Sequence, residues 1–233
     1  MISEKGRAVR EMFGAIAGRY DFLNHFLSAN ADRRWRRLCA AEVRSRLEGT
    51  RPAILDLGCG TADLALELAR DASVVGCDFC HPMLVLGKRK LGAPGARNVE
   101  LAEADALSLP FRDGTFDAVV SAFVVRNLAD LDGGLRETAR VLRRGGVLGV
   151  LEFALPQSAV FGAAFRFYFS RILPALGRIV SGVDGPYRYL PESVRTFPGA
   201  RALSERIGGA GFHGVDYRLL TGGIAVLHTA TRA

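Results

Sequence analysis

Short apolar runs alternate with longer stretches whose apolar residues recur every three or four positions, and this alternation covers most of the chain. It predicts strands over 53–57, 74–78, 99–104, 116–123 and 147–153. Between them it predicts helices over 63–68, 82–91 and 131–143, the last stopped by Gly145-Gly146. Such an order argues for an α/β fold, a mostly parallel sheet with helices on both faces. Two further strands, 215–220 and 223–231, are joined by a tight turn at Thr221-Gly222 and so form an antiparallel pair. No internal repeat or low-complexity linker interrupts the pattern, which predicts a single domain over 1–233. Residues 1–50 form a helical cap on the ligand side, and an insertion over about 156–200 faces it.

The segment 158–173 is aromatic and helical, and Pro174 is expected to kink or end it. Phe161, Phe165, Phe169 and Ile172 share one stripe, with Arg166 and Arg171 away from it. The stripe reads either as a core-facing face or as an apolar surface for a lipid-tailed substrate or a membrane interface.

The first βαβ unit carries the densest chemistry. Strand 53–57 runs into Gly58-Cys59-Gly60-Thr61-Ala62, and the next strand ends on Asp78, twenty residues after Gly58. Glycines let backbone approach a nucleotide closely, and an acid at that distance binds both ribose hydroxyls. A dinucleotide loop needs a third glycine where this chain has Asp63, so no pyrophosphate cradle is evident. Adenosine without phosphates fits better, and S-adenosylmethionine is the commonest cofactor of that kind.

The net charge is +7, almost wholly arginine, since only Lys5, Lys88 and Lys90 are lysines. Nucleic acid, an anionic membrane surface and an arginine-favouring genome all account for it. The densest patch is Arg33-Arg34-Trp35-Arg36-Arg37, which as a solvated helix face needs no function. Cys77 and Cys80 have the C-x-x-C spacing without a second pair, so the four cysteines read as free thiols in a reducing compartment, and no metal is expected. The first residues lack a signal peptide's apolar core, and the longest uncharged apolar run, 145–151, is too short to cross a bilayer. A cytoplasmic chain is the expectation.

Several separated motifs are more specific. They are Tyr20-Asp21-Phe22-Leu23-Asn24-His25 with Trp35 downstream, Arg126-Asn127, Leu151-Glu152-Phe153, Tyr187-Arg188-Tyr189-Leu190, and Thr221 to His228. Together, from about residue 8 to 230, the chain resembles the ubiquinone/menaquinone biosynthesis C-methyltransferases. It departs from them at Asn30 and Ala62, where the family has glycines, at Arg144, where it has proline, and at Ala122, where some members have serine. The resemblance implies a Rossmann-like class I S-adenosylmethionine-dependent methyltransferase fold with a seven-stranded sheet and an antiparallel last strand. It also implies C-methylation of a prenylated demethylquinol, a demethylmenaquinol or the equivalent benzoquinol, with peripheral contact at the inner face of the membrane. Thr61 is then expected beside the cofactor, Asp78 at the ribose, and Asp105 with Ala106 at the adenine. Without the resemblance Asp105 reads equally as a helix cap or loop acid. Arg126 and Asn127 leave the fourth strand at its ligand end and are the expected partners of the quinol oxygens, although Arg126 could instead pair with Glu152. Tyr20 and Asp21 are substrate-side candidates on the cap. Amino-methylating nucleic-acid enzymes carry an Asn/Asp-Pro-Pro-aromatic motif after the fourth strand. Here that place reads Phe123-Val124-Val125-Arg126-Asn127, so no nucleic-acid partner is expected.

Overall fold

A computed structural model describes residues 4–92, 98–176 and 185–233, apart from the side chains of Tyr20, Leu23, Asn24 and residues 185–188. Two helices, α1 (Glu4–Leu27) and α2 (Ala31–Ser45), precede the alternating core. That core comprises β1 (Ala53–Leu57), α3 (Asp63–Leu68), β2 (Ser73–Asp78), α4 (His81–Leu91), β3 (Val99–Glu103), β4 (Phe116–Ala122), α5 (Leu131–Val141) and β5 (Leu142–Phe153). After β5 come α6 (Ala159–Phe167), α7 (Gly185–Thr196), α8 (Ala200–Gly209), β6 (Phe212–Leu220) and β7 (Ala225–Arg232).

The sheet order is β3-β2-β1-β4-β5-β7-β6. The first five strands are parallel, and β7 runs antiparallel to both of its neighbours. Successive side chains on a strand point to opposite faces, and the two cores follow that rule. Ile54, Ala118, Val120 and Leu151 join Trp35, Val43 and Leu64 on one face. Leu55, Val119, Leu148 and Val150 join Leu135, Leu203 and Ile207 on the other. Each such side chain contributes roughly 1.5–3 kcal/mol by leaving water. Between β1 and β4 the strand order reverses, which opens a crevice at their carboxyl ends.

Three expectations are corrected. The helix over 131–143 ends at Val141, because Leu142 already pairs with Phe116 and β5 begins there. The register then shifts before Val147, so the strand is longer than its apolar stretch suggested. A helix over 200–209 was not read from the sequence. Pro174 ends nothing: a π turn (Tyr168–Ile172) precedes it and helix continues to residue 176. The wider turn eases the clash of the proline ring with the carbonyl four residues back. Leu173, four residues after Phe169, follows it into the core. Phe165 stacks on Phe169 at 5.1 Å, whereas Phe161 and Ile172 are exposed, so the expected stripe is split between core and surface.

Aromatic rings tie the layers together. Trp35 on α2 meets Phe123 and Phe153, Phe153 meets Phe169 beyond α6, and Trp35 Nε1 donates to Thr221 Oγ1 at 2.9 Å. The α1–α2 corner turns on Ala29 and Asn30, both at positive φ (50° and 61°). Asparagine tolerates that region where β-branched residues do not, which explains how Asn30 stands in for the family's glycine. Asn30→Ile should therefore lower stability by about 1–2 kcal/mol, while Asn30→Gly should equal or exceed the parent. Urea denaturation of the three proteins checks this.

Candidate active site

The cavity at the reversal point is walled by the ends of β1, β2 and β4 and roofed by Gly6, Val9 and Phe13 of α1. Its loop is held in an unusual conformation. Gly58, Gly60 and Ala62 all have positive φ, at 71°, 55° and 69°. A Cβ at Gly58 would strike Val124 within 2.5 Å, so only glycine fits there, whereas the space beside Gly60 is open to a ligand. Ala62 holds a left-handed conformation with its methyl fully buried, which costs on the order of 1 kcal/mol. Ties from elsewhere hold the loop. Asp78 accepts from the amides of Gly60 at 2.9 Å and Cys80 at 2.8 Å, and Cys77 O accepts from those of Gly58 and Cys59.

The structure brings most expected residues to one cavity. Gly58, Gly60, Thr61, Asp78, Asp105, Ala106 and Asn127 all line it. Asp105 Oδ1 also accepts the amide of Leu107 at 3.0 Å, a turn role that leaves its other oxygen to the cavity. Asn127 Oδ1 accepts from the hydroxyl of Tyr189 on α7 at 3.1 Å, and burial pushes that phenol up from its ordinary pKa.

For Arg126 the alternative expectation, the pair with Glu152, holds in place of the quinol contact. Its guanidinium is buried, pairs with Glu152 at 3.0 Å, donates to Phe123 O, and stacks 5.3 Å from the ring of Phe153. It does not line the cavity. Removing either member of so buried a pair leaves an uncompensated charge, at a cost of about 3–5 kcal/mol. Arg126 thus fixes the end of β4 and aims Asn127. Asp21, expected at the substrate, lies outside the cavity lining and instead accepts from Thr61 Oγ1 at 2.6 Å and pairs with Lys90 at 2.7 Å. The side chain of Tyr20 lies outside the described residues. Cys77 and Cys80 sit with all four thiols buried and free, and burial pushes Cys77 up to about 12, far from thiolate chemistry.

One cavity residue was missed. Asp56 lines the cavity at the end of β1, is 1% exposed, and its Oδ2 has no hydrogen-bond partner among the described residues. Burial pushes its pKa up to about 7, with nearby Arg36 pulling against the rise. The signal was present, an acid two residues ahead of Gly58, but a lone acid in a buried strand reads as nothing in particular. A buried carboxylate oxygen without a partner fits the ammonium group of S-adenosylmethionine's amino-acid end, and Asp78 with the open side of Gly60 fits its ribose. The sign of the pH effect follows. Asp56 is raised relative to the unfolded chain, so its contribution to apoprotein stability is full at low pH and lost as pH rises through about 7. Cofactor binding runs the other way, since only the ionised form balances a cation. Calorimetry should show S-adenosylmethionine binding more tightly at pH 8 than at pH 6, and Asp56→Asn should weaken binding and flatten that difference.

Comparison with known proteins agrees with this geometry. The model of the ubiE/COQ5 methyltransferase family matches residues 1–232. Demethylmenaquinone methyltransferase of Thermus thermophilus is 52% identical over 95% of this chain and 100% of its own. The ubiquinone/menaquinone biosynthesis C-methyltransferase UbiE of Geotalea uraniireducens is 41% identical over 99% of both chains. Among solved structures, an S-adenosylmethionine-dependent methyltransferase of Thermotoga maritima, described as a possible histamine N-methyltransferase, superposes with a TM-score of 0.65 at 18% identity over 96% of this chain and 99% of its own. The [4+2]-cyclase SpnF superposes at 0.69 with 19% identity over 99% and 96%, so this likeness speaks for the fold alone. The chain belongs to the ubiE/COQ5 methyltransferase family.

Proposed function

We propose that this enzyme transfers the methyl group of S-adenosylmethionine to a ring carbon of a prenylated demethylquinol, a demethylmenaquinol or its benzoquinol equivalent. The full-length relation to demethylmenaquinone methyltransferases carries the reading, supported by a cavity whose residues suit the cofactor. Bound there, the cofactor supplies a methyl already activated on a sulfonium, so the protein's task is alignment in a dry site. Asp78 would hold the ribose, Asp105 and Ala106 would flank the adenine, and Asp56 would balance the amino-acid end. The quinol carbon becomes nucleophilic as the neighbouring hydroxyl loses its proton. Asn127, steadied through its oxygen by Tyr189, has an amide group suited to donate to the resulting phenolate.

Such a donor acts mainly in the transition state, so its loss should slow turnover more than it weakens binding. Asn127→Ala should slow methyl transfer on the order of 10²-fold with cofactor affinity near the parent's. Single-turnover transfer from labelled cofactor to a short-tailed demethylmenaquinol measures this. A parent enzyme that methylates no such quinol overturns the substrate, and a variant transferring at the parental rate overturns the role of Asn127.

The lipid tail also calls for a route to a membrane, and we place the enzyme at the cytoplasmic face of one. Ala159–Leu176 is long and apolar enough to cross a membrane, and unlike a core helix it is only 22% buried. Arg166, Arg171 and the turn at Tyr168–Ile172 suit an interfacial helix better than a spanning one. Its outer face shows Val160 at 83% and Phe167 at 63% exposure. Anionic liposomes should therefore float the protein at low salt and release it as salt rises. Protein left wholly in solution at low salt excludes this face as a membrane contact.

A further inference from the structure

The cap α1 is fastened at both ends across the cavity it roofs. Near its start, Lys5 Nζ donates to Leu128 O at 2.6 Å and to Arg126 O at 3.4 Å, carbonyls of the turn that follows β4. Along its first half Gly6, Val9 and Phe13 line the cavity, and farther on Ala17 packs on Cys80 and Met83. Near its end, Asp21 takes the hydroxyl of Thr61 and the ammonium of Lys90. Lys90, in the last turn of α4, also reaches Asp63 at 2.6 Å and Thr61 Oγ1 at 2.9 Å. His25, one turn beyond Asp21, has Nε2 3.9 Å from Asp63 and Nδ1 2.8 Å from Asp32.

All three N–H groups of Lys90 are thus directed at α1 and at the loop Gly60-Thr61-Ala62-Asp63. Without Lys90, Asp21 and Asp63 would face each other across the same gap with their shared cation gone. In a chain where 31 Lys and Arg include only three lysines, two of those three, Lys5 and Lys90, fasten this helix. A compact ammonium directs its three donors to acceptors out of one plane, whereas a guanidinium's five donors all lie in a plane.

We infer that Lys90 is a positioning residue for the cofactor, clamping α1 to the cofactor loop so that cofactor and spent product exchange only when this clasp opens. The inference rests on the S-adenosylmethionine reading of the cavity. Its test is the dissociation rate of S-adenosylhomocysteine, followed by stopped-flow displacement, together with KM for S-adenosylmethionine and kcat. Lys90→Ala should release S-adenosylhomocysteine about tenfold faster and raise KM to a similar degree, as the loss of charge-assisted hydrogen bonds implies, while kcat changes less than threefold. Asp21→Asn and Lys5→Ala should shift release in the same direction, and Lys90→Arg should restore it in part. Adding Asp21→Asn to Lys90→Ala should bring little further change, because both break one clasp. Parental release rates in the folded variants overturn the inference. So does a fall in kcat with KM and release unchanged, which is the mark of a merely structural loss. Should Lys90→Ala fail to fold, Asp21→Asn and Lys5→Ala decide the matter by the same readouts. A parent protein that binds no S-adenosylhomocysteine would instead overturn the cofactor reading itself.

Discussion

The loop after β1 places three left-handed residues within five positions, and a chain of ordinary residues does not hold that shape unaided. Everything that makes the cavity useful depends on its being held. The restraint arrives from three separate elements: Asp78 at the end of β2 grips the amide of Gly60, Lys90 at the end of α4 reaches Asp63, and Asp21 on α1 takes the hydroxyl of Thr61. Ala62 makes the dependence sharper here than in a relative with glycine, because its own conformational preference opposes the loop. The same carboxylate that suits a ribose is therefore also a beam of the site, and cofactor and loop stabilise each other.

On the opposite wall the organising interaction is ionic. Glu152, fully buried at the end of β5, accepts from the side chain and backbone of Arg126 and from the amide of Phe153. Phe123, a bulky residue at φ 65°, gives its carbonyl to Arg126. Strain in the backbone and a desolvated charge pair thus meet at one corner, and Asn127 is the polar group that this corner presents to the cavity. A buried pair of this sort fixes direction more than it adds stability.

Much of this was legible in the sequence, and the remainder fails for identifiable reasons. Strands buried on both faces, such as β1 and β4, write themselves as apolar runs, and β1 to β4 stand where 53–57, 74–78, 99–104 and 116–123 were expected, within a residue or so at their ends. The start of β5 was hidden because Leu142 to Gly146 carries helix-stopping glycines and arginines rather than a strand's pattern. The π turn was invisible, since one extra residue per turn leaves no compositional trace. At the site, residues sharing a strand end were found together, but pairings across the fold were not. The pair of Arg126 with Glu152, 26 positions away, stood only as an alternative to a quinol contact, and Lys90 meets acids on α1 and at the start of α3 that no spacing rule connects.

Trp35 reaching Thr221, with β7 lying between β5 and β6, has a consequence for how the polypeptide matures. The last strand in sequence is an interior strand of the sheet. While a ribosome is still making that segment, β5 has an open edge and Trp35 lacks its hydrogen-bond partner. The ties that Asp21, Asp78 and Lys90 make to the cofactor loop, by contrast, all come from residues before position 91. A nascent chain can therefore shape the nucleoside-binding half early, yet it must shield an unpaired hydrophobic edge until β7 slides in.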